Sequence, residues 1–148
     1  MSQKPVLWGA ILLLIAAAGA IYFFFVRSAQ NTTPLQAQKG QVVVNLIELN
    51  DSGESGTAVL EEKDGKVVVT IQAIGGTNEA QPAHIHANDC PGLGPVKHGL
   101  KNVVNGTSVT TLDVSLAQLK QQLPLALNVH ESANNFKSYV SCGEISLP

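Results

Sequence analysis

The sequence predicts an all-β domain, an antiparallel β-sandwich or flattened barrel with one short helix, behind an N-terminal apolar segment. Three observations predict it. Short β-branched runs recur between turn clusters, one stretch alone has helical spacing, and Asp-Gly and Asn-Gly pairs stand where tight hairpins need them. The chain has 148 residues, 45% of them hydrophobic and 14% charged. About 120 residues follow the apolar segment, enough for one domain and too few for two. That excludes a multidomain enzyme or a cofactor fold with a separate substrate domain.

Pro5–Val26 (PVLWGAILLLIAAAGAIYFFFV) is a run of 22 residues without a charge. A bilayer core needs about 20 apolar residues in a helix. Trp8 and Tyr22 lie near its two ends, where interfacial aromatics settle. A cleaved signal peptide is the alternative. Cleavage after Ala18-Gly19-Ala20 would leave IYFFFV at the start of the mature chain, and near Ser28-Ala29 the charged Arg27 takes a place that wants a small residue. Residues 1–27 therefore read as an uncleaved membrane anchor, with the domain on the extracytoplasmic side. Charge bias across the run is nearly silent on orientation, and the two cysteines favour export to an oxidising space. Residues 28–40 (SAQNTTPLQAQKG) form a polar linker.

Residues 41–148 form the domain. Gln41–Leu49 (QVVVNLIEL) is a β-branched, partly alternating strand, closed by the turn cluster Asn50–Gly56. Thr57–Glu62 and Lys66–Ala73 are strands flanking Lys63-Asp64-Gly65, a hairpin turn. Gly75–Pro82 is a loop and Ala83–Ala87 (AHIHA) a short strand. Asn88–Lys97, with two Pro and two Gly, is irregular. Leu100–Val104 and Thr107–Val114 are strands joined at Asn105-Gly106. Ser115–Leu123 has a Ser cap and helical spacing of Leu116, Leu119 and Leu123. Ala126–His130 and Tyr139–Ser146 are the last strands. Most aromatics lie in the apolar run, so the core is built of Val, Leu and Ile.

The formal net charge of −2 hides a split: residues 41–148 hold six Lys against all eleven Asp and Glu. Such a domain is ill suited to phosphate backbones, and nucleic acid is excluded as a partner. The chain has no Walker-type loop, no C-x-x-C pair and no nucleophile elbow.

All four histidines are in the domain: His84, His86, His98 and His130. His84-Ile85-His86 on a strand puts both imidazoles on one face and Ile85 on the other. His130 ends a separate strand and His98 follows a Gly/Pro-rich loop. Three or four imidazoles favour copper or zinc. A His-x-His pair on a strand is also compatible with a purely structural role, and His98 with a solvated loop. Cys90 and Cys142, the only cysteines, suit either a disulfide or thiolate ligation four residues after His86. Export favours the disulfide, worth about 4 kcal/mol in the chain-entropy account.

Ala83-His84-Ile85-His86, Cys90 in a Gly-rich loop, Asn128-Val129-His130-Glu131 and Ser141-Cys142-Gly143-Glu144-Ile145 resemble the Cu/Zn superoxide dismutases in order and type. The likeness runs from about Val42 to Ile145. The related CHRD domains, with an Ala-His-Ile-His segment and a late Val-His, are also similar. The resemblance implies a Greek-key β-sandwich and one copper held by His84, His86 and His130, with His98 as a further ligand. It also implies a Cys90–Cys142 disulfide and a superoxide-dismutating or copper-binding role. The chain departs from the family in several places. Two residues separate Gly94-Pro95 from His98, where the family's bridging histidine follows Gly-Pro directly. No histidine remains for a zinc site. The guiding Arg before the Cys-Gly motif is absent, leaving Lys137 as the candidate for anion guidance, and Glu131–Ser138 is much shorter than the family's electrostatic loop. The expectation is a membrane-anchored, copper-only relative. The alternatives are a non-catalytic copper-binding domain and a CHRD-like structural or interaction domain.

Overall fold

Alternation of Val, Leu and Ile with polar residues drives the first three strands, and Asp64-Gly65 sets the register of two of them. The computed structural model describes residues 40–148. The anchor expected over residues 1–27 and nearly all of the linker lie outside the described residues. Among the described residues, no helix is long and apolar enough to cross a membrane.

The elements run β1 (Gln41–Glu48), β2 (Ser55–Lys63), β3 (Lys66–Ile74), β4 (Ala83–Ala87), β5 (Val96–Gly99), β6 (Thr107–Leu112), α1 (Leu116–Lys120), β7 (Leu125–His130) and β8 (Tyr139–Ile145). The eight strands form one antiparallel sheet in the order β5-β4-β7-β8-β1-β2-β3-β6. β1 serves both halves: Gln41–Leu46 pair with β2, while Ile47 and Glu48 pair with β8. The two ends of the sheet come close together. Leu100 N donates to Ala83 O (3.0 Å), and Gln81 and Val103 exchange backbone bonds of 2.9 and 2.8 Å. On the β6 side, Lys101 N donates to Thr110 Oγ1 (2.9 Å) and Ser108 Oγ to Lys101 O (2.8 Å). Residues 100–104 thus join one edge to the other and nearly close the sheet.

The interior is aliphatic. Val44, Leu60, Val67, Val69, Ile71, Ile85, Leu125, Leu127 and Val129 fill it, and α1 adds Leu119. Ser115 caps α1 through a capping box with Gln118, which satisfies donors that so short a helix would otherwise expose. Both expected tight turns form as two-residue loops with positive φ at each central residue. These are Asp64 (52°) and Gly65 (74°), then Asn105 (49°) and Gly106 (74°).

Two expectations are corrected. Residues 96–99 form a strand where irregular chain was expected from Asn88 to Lys97. Residues 100–104 supply only bridges at Val103 and Val104 rather than a strand. The physical reason is the free edge of β4: after Pro95 ends the loop, Val96–Gly99 takes that edge, pairing His84 with Gly99 and Ile85 with His98. Residues 100–104 are then spent crossing to β6.

β7 positions the site. All six of its residues are buried. Leu125, Leu127 and Val129 point into the core, so Ala126, Asn128 and His130 point the other way. Strand alternation puts His84 and His86 on that same outer side of β4, with Ile85 inside.

Candidate metal centre

The antiparallel pairing of β4 with β7 matches His84 to Asn128 and His86 to Ala126. The outer-facing histidines of β4 therefore lie beside His130 at the end of β7. His84, His86 and His130 each offer a ring nitrogen, and the three nitrogens all lie within 4.8 Å of one another. Three of the four histidines singled out from the sequence are brought together.

His98 is not among them. Its Cα partner across the ladder is Ile85, and residues paired across antiparallel strands project to the same side. His98 therefore follows Ile85 and turns away from His84 and His86. Its Nε2 bonds Gln122 Oε1 at 3.0 Å.

Backbone carbonyls fix two of the imidazoles. His86 Nδ1 donates to Gly94 O at 2.7 Å, and His130 Nδ1 donates to Phe136 O at 2.5 Å. Each bond assigns the proton to Nδ1 and leaves Nε2 as a lone-pair donor. This is how metal-ligating histidines are usually oriented. With the His130 proton on Nδ1, His84 Nδ1 donates to His130 Nε2 at 2.9 Å; this is the ring nitrogen of His84 that converges on the site, and a metal held by both nitrogens would displace that proton. His86 Nε2 is buried with no protein partner. A buried polar atom left unmatched costs about 1–3 kcal/mol, so this nitrogen calls for a partner of another kind. The donor set is Nδ1 of His84 with Nε2 of His86 and His130, all imidazole. It fits a copper or zinc ion, and no carboxylate or thiolate joins it.

The electrostatics agree with metal-ready imidazoles. Burial, reinforced by His130 and His86, pushes the His84 ring down to about 4. Burial also lowers His130, against the opposing bond to Phe136 O and with a smaller push from His86. Both rings are thus neutral at physiological pH, the form that ligates.

The loops that carry the carbonyls are themselves fastened. Cys90 and Cys142 form a disulfide with Cα atoms 6.1 Å apart, tying the loop before β5 to β8. In that loop Gly94 N donates to Ala87 O at 2.7 Å. A Cβ on Gly94 would lie 2.9 Å from Asn88 Nδ2 and 3.1 Å from Ala87 O, so glycine allows the close approach that brings its carbonyl to His86. Thiolate ligation is thereby ruled out for both cysteines. In the β7–β8 loop, Glu131 N donates to Ser138 O (2.9 Å), and Asn135 Nδ2 to Glu131 Oε2 (2.6 Å). Lys137 is exposed in this loop and makes no ion pair among the described residues.

Several contributors escaped the sequence reading. Phe136 stacks on His130, with ring centroids 4.1 Å apart and planes 18° apart, and meets His84 edge-on at 5.3 Å. Tyr139 stands edge-on to His130 (5.0 Å) and His86 (6.4 Å). These are the only aromatic residues between positions 41 and 148, and that composition was the available signal. Gln81, 1% exposed, donates from Nε2 to Glu54 Oε2 (2.7 Å) and to the His130 carbonyl (3.4 Å). Glu54 is equally buried, and desolvation raises its carboxyl above the usual range, partly offset by the Gln81 bond. No local motif marks this pair. Comparison with protein-family models, with characterised proteins and with solved structures finds no match for this chain.

Proposed function

We propose that this chain is a membrane-anchored, extracytoplasmic copper-binding protein with a superoxide dismutase-like or CHRD-like domain. In this reading His84, His86 and His130 hold one copper ion. The observation that carries it is the convergence of three imidazoles within 4.8 Å, two of them pinned through Nδ1 so that Nε2 faces the site. The order of His-x-His, loop cysteine, Val-His-Glu and Cys-Gly along the sequence supports the family reading. So does the strand order: β7 returns beside β4 after β5 and β6 have been laid down, a Greek-key move. Export is supported by the Cys90–Cys142 disulfide, and the anchor by the 22-residue uncharged run. Copper is preferred to zinc because the resemblance carries over the copper ligands and leaves only His98, bonded to Gln122 away from the trio, for a second site.

Copper loading of the full chain in detergent tests this reading. Binding to the folded state alone must raise apparent stability. A higher melting temperature with copper, supplied as Cu(I) or as Cu(II), and lost in His84→Ala/His86→Ala, is the expected result. A melting temperature unchanged by both ions contradicts it. Retention of the chain in membranes after a carbonate wash tests the anchor.

A second reading is superoxide dismutation, for which bound copper would supply one-electron chemistry. It is favoured by Lys137, the one cation in the loop whose Phe136 covers the histidines. The acidic domain and the missing Arg weaken attraction of an anion. Dismutation by the copper-loaded chain above free-copper background, reduced in Lys137→Ala, would support this reading. Its absence would leave the protein a copper holder.

A further inference from the structure

The core of this domain is aliphatic, yet its only two aromatic side chains, Phe136 and Tyr139, both stand against the histidine trio. Phe136 covers more of it. Its ring lies nearly parallel on His130 and edge-on to His84, and it is 46% exposed, so one side meets solvent while the other meets the histidines. Its own carbonyl accepts the His130 Nδ1 proton, so the residue that covers the site also orients one of its ligands. The short loop is closed on itself by the Glu131–Ser138 and Asn135–Ser132 bonds, which hold this cover in place.

Resting on the copper reading above, we propose that Phe136 is a specificity-determining cap that makes this a site for cuprous rather than cupric copper. The desolvation cost of an ion grows with the square of its charge, so a covered site with neutral donors penalises a divalent ion most. Here His86 and His130 are 4% and 1% exposed, His84 is half-buried under the edge of the Phe136 ring, and all three donors are imidazole nitrogens with no anionic ligand. A phenyl ring lacks a lone pair for a cupric ion that seeks further donors. Stacked on His130 and edge-on to His84, the ring adds no donor and keeps water from reaching the ligand imidazoles on that side. Three nitrogens and an aromatic cover satisfy a monovalent ion of low coordination number.

Parallel competition titrations with Cu(I) under reducing conditions and Cu(II) in air test the cap on the full chain in detergent. Wild type, Phe136→Ala and Phe136→Tyr are compared. The ratio of the two affinities is the readout, because a general loosening of the site weakens both ions alike. In Phe136→Ala the Cu(I):Cu(II) affinity ratio should fall by about tenfold, while Phe136→Tyr, which keeps the covering ring, should keep it. An unchanged ratio in Phe136→Ala, or an equal fall in Phe136→Tyr, overturns the cap and leaves the copper site standing. No binding of either ion by wild type overturns the copper reading itself, and the cap with it.

Discussion

His86 and His130 reach the centre with one ring nitrogen already engaged by a backbone carbonyl, and this division of labour makes the residues separable by mutation. Replacing His130 by Ala should weaken copper binding by about a hundredfold or more. His98→Ala should change it by no more than about twofold, because His98 is bonded to Gln122 away from the trio. Competition titration with a chelator of known affinity checks both. Acid acts on the same residues. The folded state holds His84 neutral down to about pH 4, whereas the unfolded chain takes up a proton near 6.5. Protonation therefore favours unfolding, and the stability of the metal-free protein should fall as pH drops from about 6.5 towards 4. Urea midpoints across that range, measured with a chelator present, should show the fall, and His84→Gln should flatten it. Glu54 has the opposite sign, since its raised carboxyl opposes folding once ionised. Glu54→Gln can keep the bond with Gln81 while removing the buried charge. It should leave stability equal or raised by about 1 kcal/mol at pH 7, with the gain shrinking towards pH 4.5. The clustered histidines were legible because a strand fixes which residues share a face. His98 was less so, since its side of the sheet depends on which residue of β4 it opposes. Phe136 and the Glu54–Gln81 pair depend on how distant segments meet, which no local spacing encodes.

At the scale of elements, the disulfide and the loop before β5 form one device. Cys90 fastens the loop to β8, and four residues later the Gly94 carbonyl holds His86. The Cys90→Ser/Cys142→Ser double variant should lose about 4 kcal/mol of stability by the loop-entropy argument. With the carbonyl less well placed, it should also bind copper at least about tenfold more weakly. Denaturant unfolding and copper titration of the same sample separate the two effects. The hairpins at Asp64-Gly65 and Asn105-Gly106 were legible because type I′ turns require positive φ and these residue pairs accept it. The helix was legible from its Ser cap and leucine spacing. β5 was not. Its sequence Val-Lys-His-Gly shows no alternation, and only the open edge of β4 makes it a strand.

Across the whole molecule, the barrel-like sheet is buried twice over along β7, inside by the aliphatic core and outside by loops that carry Gly94 and Phe136. That double cover lets a small domain hold two of the three histidines, His86 and His130, at very low exposure, with His84 half-buried beside them. All-β architecture with one short helix follows from period-two alternation and turn chemistry, so it could be read directly. The near closure of the sheet could not, because it rests on residues 100–104, whose bonds reach Ala83 and Gln81 at one edge as well as the nearby β6 residues Thr107, Ser108 and Thr110 at the other. The central claim is that the three outer-face histidines form a metal centre. Copper analysis of the purified full chain loaded with Cu(I), joined to an electron paramagnetic resonance spectrum after the bound ion is oxidised in place to Cu(II), tests it most directly. One tightly held copper per chain, with hyperfine structure from nitrogen ligands that is lost in His86→Ala, is the predicted result. Copper no higher than a buffer control, or a spectrum unchanged by His86→Ala, would contradict it.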